Sequence, residues 1–376
     1  MSYDLFIFAG EASGDLHGSD LIKGLQKINP SLKIIAVAGK KMKKTGVDVF
    51  LKTENFQVMG FLNVFLALPK LIFYFFKIRN FILNTKPKAC VFIDYPDFTL
   101  RLEKSIKKKK YLGKIIHFIC PTVWAWRKKR IKTMIYSIDL LLTILPFEKT
   151  FLKSTPLNVK YVGNPLLKNN SNKSLLSEKI HSQVAIFPGS RKNEIFQNLP
   201  YMLSCAKKLI QNNPMLTFAV SISNQMYENI IIKIAKSYAI ENRLFFYDSA
   251  LNFSIMQNVK CAIATSGTIT LELALNQVPT VVVYAIKKLD LIIARNIFKI
   301  DLPYYCIVNI IANNLIFPEL YGPNLTSEGL YKEVKKILYN DDVIQVCKKM
   351  CKENVFEILK AKNEKNAASN ILQVLC

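Results

Sequence analysis

Short apolar runs alternate along this chain with longer segments whose apolar positions recur at helical spacing. Tyr3–Ala9, Lys33–Ala38, Ala89–Ile93, Lys114–Ile119, Leu140–Leu145 and Lys160–Val162 read as strands. Between them, Leu16–Ile28, Phe61–Leu83, Thr99–Lys110 and Lys128–Ser137 are long enough for crossover helices. Apolar strands separated by helices predict a parallel sheet covered on both faces. The pattern stops after Leu167, where Lys168–Lys179 is polar and carries Asn169, Asn170, Ser171, Asn172 and Ser174, the composition of a linker. A second series of strands follows at Gln183–Phe187, Thr217–Ser221, Leu244–Tyr247, Cys261–Ala264 and Thr280–Val283. At 376 residues the chain suits two doubly wound α/β domains, residues 1–167 and 180–376. Two such domains facing each other hold ligands in the cleft at the carboxyl ends of their strands.

Composition narrows this picture. A hydrophobic fraction of 51% excludes a largely disordered chain. Lys and Arg number 52 against 27 Asp and Glu, a net charge of +25. Such a surplus attracts nucleic acid, anionic lipid or phosphorylated substrates. A general abundance of Lys, Asn and Ile explains part of the total, but explains less well the clusters Lys40–Lys44, Lys107–Lys110 and Arg127–Arg130. Eight cysteines without a C-x-x-C, and three histidines, give no disulfide framework and no zinc ligand set, so reduced core cysteines of a cytosolic protein are expected. Ser2–Ala9 runs straight into Gly10 with neither a basic flank nor a cleavage site, so no secretory leader is expected. Phe61–Leu83 is the most membrane-like stretch. Pro69, Lys70, Lys77 and Arg79 interrupt it short of the ~20 apolar residues a span requires. Its Phe, Leu and Tyr mixed with Lys and Arg suit a helix lying in the interface, with Phe73 and Phe76 among the contacts; a core helix with a wet edge is the alternative.

The residues suited to chemistry fall just after strands. Gly10-Glu11-Ala12-Ser13-Gly14-Asp15 makes a tight turn into a helix whose N-terminus can hold an anion or a hydroxyl, with Glu11 and Asp15 either ligands or capping acids. Ile93-Asp94-Tyr95-Pro96-Asp97-Phe98 sets two carboxylates three apart. Asp94, directly after the strand, suits a general base on an acceptor hydroxyl; Asp97 orients that hydroxyl or caps the next helix. Cys120–Arg127 holds both tryptophans. Trp124 and Trp126 either stack on a sugar or acyl chain or bury each other, and the basic run from Arg127 can meet a phosphate. Pro188-Gly189-Ser190-Arg191, with Glu194, is a strand-to-helix turn in which Ser190 caps and Arg191 can grip a diphosphate, or a plain turn with a cap. Ser266, Gly267 and Thr268 open a second phosphate-sized helix N-terminus, with Glu272 a turn further on, where it can accept ribose hydroxyls. There is no D-x-D triplet and no G-x-x-x-x-G-K-[ST]. A metal-held diphosphate and a P-loop are therefore not expected, nor is any cofactor.

Taken together, GEASGD (Gly10–Asp15), VMGF (Val58–Phe61), IDYPDF (Ile93–Phe98), PTVWAWR (Pro121–Arg127), LPFE (Leu145–Glu148), PGSR with Glu194, and SGTITLE (Ser266–Glu272) resemble the lipid-A-disaccharide synthases in order and spacing across nearly the whole chain. The resemblance implies a GT-B glycosyltransferase fold: an N-terminal acceptor domain, a C-terminal donor domain, and a last helix returning to the first. It implies an inverting, metal-free reaction in which UDP-2,3-diacylglucosamine glycosylates the 6-hydroxyl of 2,3-diacylglucosamine 1-phosphate (lipid X), giving a β-1,6-linked disaccharide phosphate and UDP. It also implies a peripheral enzyme on the cytoplasmic face of an anionic inner membrane of a Gram-negative bacterium; a homodimer is left open. Carried over by position, Asp94 matches the catalytic acid residue and Glu11 the glutamate of the first turn, with Asp97 beside them. Ser190, Arg191, Ser266, Gly267, Thr268, Glu272 and Asn309 fall to the donor, and Ser13, Trp124, Trp126 and Arg127 to the acceptor. The chain departs from the family pattern at Asn164, where a histidine is usual, and at Asn313-Asn314, which replace Gly-Arg. GEASGD and VWAW separate it from other UDP-sugar enzymes of this fold, such as peptidoglycan N-acetylglucosaminyltransferases and UDP-N-acetylglucosamine 2-epimerases. No nucleic-acid partner is expected, since that reading leaves Asp94, Glu11 and the two phosphate turns unexplained.

Overall fold

The structure is a computed structural model that describes residues 3–56, 61–167, 180–286, 302–360 and 366–375. The linker Lys168–Lys179 and Val58–Gly60 of VMGF lie outside the described residues. The chain divides into two units, Met1–Pro165 with Ala361–Cys376, and Leu166–Lys360.

The first unit holds β1 (Leu5–Ala9), α1 (Ala12–Ile28), β2 (Ile34–Ala38), α2 (Lys40–Lys43), β3 (Asp48–Lys52), α3 (Phe61–Thr85), β4 (Ala89–Ile93) and α4 (Pro96–Lys108). It continues through β5 (Lys114–Phe118), α5 (Arg130–Ser137), β6 (Leu140–Thr143), α6 (Pro146–Phe151) and β7 (Val159–Tyr161). Among the described residues its strands form one parallel sheet of order β3-β2-β1-β4-β5-β6-β7. Successive side chains of a strand point to opposite faces, and here both faces are covered. Leu5, Ile7, Val91 and Ile93 pack under α1, while Phe6, Phe8, Cys90 and Phe92 pack under α3 and α4. α3 is amphipathic in a particular way. Ile78 and Ile82 are buried and Leu71, Tyr74, Phe75 and Phe81 partly so, yet Leu68, Ile72, Phe73 and Phe76 on the other side are exposed.

The second unit repeats the plan with β8 (Val184–Phe187), α7 (Lys192–Asn212), β9 (Phe218–Ile222), α8 (Glu228–Lys236), β10 (Leu244–Asp248), α9 (Asn252–Asn258), β11 (Cys261–Thr265), α10 (Thr268–Leu275), β12 (Thr280–Tyr284), α11 (Ile307–Ala312), β13 (Glu319–Tyr321), α12 (Ser327–Leu338) and α13 (Asp341–Cys351). Its described strands form a parallel sheet of order β10-β9-β8-β11-β12-β13. After the short α14 (Glu357–Leu359), α15 (Ala367–Leu375) belongs to the first unit and buries Ala368 and Ile371 beside Leu21 and Leu25 of α1. A Cβ at Gly24 would lie 3.2 Å from the Ala368 Cβ, so glycine there lets the two helices approach closely.

Two strands escape the hydrophobic pattern. β3 and β13 are edge strands with no fully buried residue, and a strand without a buried face carries no apolar signature. α1 and α4 begin earlier than the apolar periodicity suggests, because their first turns hold the polar motif residues. The free cysteines among the described residues are all buried.

Candidate active site

In the first unit, the sheet order makes β1, β4, β5 and β6 successive neighbours, and all are parallel. The segments that follow them, Gly10–Asp15, Asp94–Asp97, Cys120–Arg127 and Leu145–Glu148, therefore converge on one edge, at the β1/β4 switch point. Backbone strain gathers on that edge. Asp94, Tyr95, Ile119 and Arg127 have φ of 49°, 58°, 76° and 53°, a region that costs a non-glycine residue about 1–2 kcal/mol. Ile119 is the sharpest outlier because a β-branched side chain crowds there. The strain is held by specific bonds. Asp94 N–H donates to the Phe118 carbonyl at 2.9 Å, Tyr95 Oη to the Phe56 carbonyl at 2.9 Å, and Thr99 Oγ1 to the Asp94 and Tyr95 carbonyls at 3.0 Å. A Cβ at Gly10 would fall 2.8 Å from the Tyr95 ring, so that turn requires glycine.

Asp94 is half-buried and, among the described residues, its carboxylate has no hydrogen bond or ion pair. Its electrostatic neighbour is His17 of α1, whose ring stands edge-on to Phe118 at 6.4 Å. Burial pulls the His17 imidazole below its usual value, against the attraction of the Asp20 and Asp94 carboxylates. The sequence drew no attention to His17; its place on α1, two residues after Asp15, was the available signal. Glu11 is the exposed, extended N-cap of α1, and Ser13 is exposed in the first turn. Asp15 is a correction to the ligand reading. It is buried and accepts from the backbone of Gly39, Lys41 and Met42 at 2.8, 2.8 and 3.0 Å, capping the neighbouring α2.

Asp97 also departs from expectation. Its Oδ1 accepts from Arg127 Nη1 at 2.6 Å and from Arg130 Nη2, so it ties α4 to the tryptophan loop and is not a free partner for Asp94. The Arg127 guanidinium lies 4.2 Å from the Trp126 ring, whose Nε1 donates to Thr122 Oγ1 at 2.9 Å. Trp124 is held elsewhere. Its Nε1 donates to Glu148 Oε1 at 3.3 Å, and its ring meets Phe147 edge-on at 5.1 Å. Burial pushes the Glu148 carboxyl up to about 8, opposed by hydrogen bonds from Trp124 and the Leu145 N–H.

In the second unit, β8 and β11 are neighbours at the switch point, so the Gly189 and Gly267 turns also share an edge. Asn198, buried on α7, joins them. Its Nδ2 donates to Thr265 Oγ1 at 3.1 Å, Thr265 Oγ1 donates to the Pro188 carbonyl at 2.9 Å, and Asn198 Oδ1 accepts from Ala285 N–H at 2.7 Å. An amide on the apolar face of α7, between Ile195 and Met202, was the overlooked signal. Gly189 has φ 113°, and a Cβ there would lie 3.0 Å from Glu194. The Ser190 and Arg191 N–H groups both donate to Glu194 Oε2 at 3.3 Å, so these donors serve a helix cap, while the Arg191 side chain is 80% exposed and only loosely paired with Glu194 at 3.0 Å. At the second turn Ser266 is half-buried and Gly267 and Thr268 are exposed at the start of α10, whose Thr270 N–H returns to the Gly267 carbonyl at 3.1 Å. Glu272 is half-buried one turn along.

Asn309 corrects the donor assignment. It is 0% exposed, and its amide donates to the Phe317 carbonyl and Glu319 Oε1 while accepting from the Ile316 and Phe317 N–H groups. All four hydrogen-bonding positions are occupied, which leaves nothing for a ligand. The family departures are likewise accommodated. Asn164 is buried and donates to the Ile144 carbonyl at 3.1 Å, and Asn313 ends α11 at φ 48°, a conformation that asparagine tolerates. Among the described residues no group of His, Cys, Asp and Glu could hold a metal, and no helix is long and apolar enough to cross a membrane.

The model of a family described as lipid-A-disaccharide synthetase matches residues 5–375. The chain is 39% identical over 326 residues to a lipid-A-disaccharide synthase of Chlamydia caviae, covering 84% of this chain and 51% of that one. It is 32% identical over 347 residues to that of Syntrophus aciditrophicus, covering 90% and 89%. The chain thus spans about half the length of the chlamydial relatives it matches. Among solved structures it is similar to a calicheamicin glycosyltransferase (TM-score 0.58, 12% identity, covering 100% and 99% of the two chains) and to the UDP-N-acetylglucosamine 2-epimerase of Neisseria meningitidis (TM-score 0.63, 12% identity, covering 100% and 99%). At such identities the likeness bears on the fold, which is GT-B.

Proposed function

The chain belongs to the lipid-A-disaccharide synthetase family, and from that premise we propose that it is an inverting glycosyltransferase joining UDP-2,3-diacylglucosamine to 2,3-diacylglucosamine 1-phosphate. The acceptor's 6-hydroxyl oxygen attacks the donor's anomeric carbon while Asp94 takes the hydroxyl proton. The bond from that carbon to the diphosphate breaks, and UDP leaves with the electron pair. Charge building on UDP is met by Arg191 and by the N–H groups that open α10, and Glu272 receives the ribose hydroxyls. Glu11, at the mouth of the neighbouring turn, orients the acceptor.

The observation that carries this reading is Asp94 itself: a half-buried carboxylate without a partner among the described residues, in strained backbone, at the switch point of a parallel sheet. Fold maintenance gives no reason for such a group, whereas base catalysis requires one. An Asp94→Ala protein is expected to bind UDP as before and to lose turnover by roughly 10²–10⁴-fold. Turnover near that of the unaltered protein would remove Asp94 from the role.

The acylated substrates lie in a membrane, and α3 supplies a means of meeting it. Phe73 is 61% exposed beside Leu68, Ile72 and Phe76, and the Arg79 guanidinium sits 4.7 Å from the Phe76 ring. With Lys70 and Lys77 near Tyr74 and Phe73, this face combines apolar anchors with cations. It supports peripheral contact with an anionic inner membrane from its cytoplasmic side.

A further inference from the structure

The contacts of Asp97 leave a question: a carboxylate three residues from the proposed base is committed to two arginines, on an edge crowded with strained backbone. We infer that Arg127 and Arg130, fixed by Asp97 and Trp126, form a subsite for the phosphate monoester of the acceptor sugar; this rests on the acceptor reading above.

Each guanidinium offers five N–H donors in a planar fork. Asp97 takes one from each on a single oxygen, Oδ1, and no other side-chain hydrogen bond engages either guanidinium among the described residues. Most of the donor capacity is therefore unused, on an Arg127 side chain that is 37% exposed and an Arg130 side chain that is 16% exposed. Charge favours a second anion: Arg127 and Arg130 share the single carboxylate of Asp97, and Lys128 and Lys129 lie between them in the chain. The carboxylate is 69% exposed, so the pair is not a buried bridge serving stability. Asp97 instead acts as a template, holding two flexible side chains in place before the ligand arrives and so lowering the ordering cost of binding.

The tryptophan completes the arrangement. The Arg127 guanidinium lies 4.2 Å and that of Arg130 5.9 Å from the Trp126 ring, and Trp126 is itself anchored by Nε1 to Thr122. Arg127 is held at φ 53° in the turn that presents it. A flat aromatic surface bordered by two arginines suits a sugar phosphate better than a free sugar. The hydroxyl to be activated and the phosphate lie at different ends of the proposed acceptor, and Asp94 and the arginine pair would meet them from the segments that follow the neighbouring parallel strands β4 and β5. A phospholipid headgroup offers similar phosphate chemistry; we assign the site to the acceptor because Asp97 couples it to the same β4–α4 turn as Asp94.

The test compares 2,3-diacylglucosamine 1-phosphate with the same acceptor lacking its phosphate, both in nonionic micelles. Arg127→Ala/Arg130→Ala should raise KM for the phosphorylated acceptor by about 10- to 100-fold, as for loss of charge-assisted hydrogen bonds. KM for the unphosphorylated acceptor and for the donor should stay unchanged. Arg127→Lys/Arg130→Lys, which keeps charge and loses the forks, should recover part of the loss. An equal loss on both acceptors, or no loss on either, overturns the subsite. So does a variant that loses binding to anionic vesicles while its KM ratio stays that of the unaltered protein, since the arginines would then read a lipid headgroup. If the unaltered protein turns over neither acceptor, the transferase reading fails separately, and titration of glucosamine 1-phosphate followed by phosphorus NMR decides the subsite. Broadening that the alanine variant abolishes keeps it; no broadening with either protein removes it.

Discussion

Motif residues that look alike in sequence divide here into groups that hold the fold and groups left open to ligands. Asp15, Asp97, Glu194 and Asn309 each have protein partners, while Asp94 and the Arg191 guanidinium stand largely open. Spacing alone cannot make that distinction, because a carboxylate that caps a neighbouring helix and one that awaits a substrate obey the same local pattern. Only the long-range partner separates them, as when Asp15 reaches α2 across 24 to 27 residues. Asn309→Ala removes four buried hydrogen bonds and should lower stability by roughly 3 kcal/mol or more. Urea unfolding checks this; a variant of unchanged stability with a specific defect in UDP binding would restore Asn309 to the donor site. Glu148 gives a pH signature. Folded, it keeps its proton to about 8, whereas an ordinary glutamate releases it near 4.5. Between those values the folded state binds the extra proton, so this group makes stability fall as pH rises, by up to about 1.4 kcal/mol per unit. Glu148→Gln should therefore gain on the unaltered protein between pH 5 and pH 8 in urea melts. Parallel stability curves would show that the carboxyl ionises in place.

Among elements, α3 departs most from the layered plan. Its inward positions, Leu71, Tyr74, Phe75, Ile78, Phe81 and Ile82, recur at helical spacing and suffice to cover the sheet. The exposed Leu68, Ile72, Phe73 and Phe76 are then surplus to packing. The apolar content of this segment was plain in the sequence. Which aromatics cover the core and which are left outside required the sheet beneath them. Phe73→Glu/Phe76→Glu should keep the unfolding midpoint within experimental error and release the protein from anionic vesicles. Vesicle sedimentation in 0.5 M salt is the check. Binding that survives both the salt and the substitutions would rule out this face as the membrane contact. The edge strands β3 and β13 mark the opposite limit. Strands buried on both faces announce themselves by composition, whereas β3 and β13, which have no buried residue, are defined by the neighbours they pair with.

At the scale of the molecule, two parallel sheets of similar strand order each present their motif-bearing turns at their own switch point. Both alternating series were legible because parallel strands must be apolar throughout and must be joined by helices long enough to cross over. The return of α15 to the first unit was not legible from periodicity, since an amphipathic terminal helix names no partner; the close approach at Gly24 and Ala368 supplies it. The chemistry divides in the same way, with the candidate base and the proposed acceptor-phosphate subsite on one unit, and on the other the Gly189 and Gly267 turns, tied by Asn198, that the proposed function gives to the donor. The proposed transfer draws on groups of both units. The most direct test is UDP release by the purified protein from UDP-2,3-diacylglucosamine, with and without 2,3-diacylglucosamine 1-phosphate in mixed micelles. We predict release that depends on the acceptor, together with a disaccharide monophosphate of matching mass. UDP binding without acceptor-dependent release, or release unaffected by the acceptor, would contradict it.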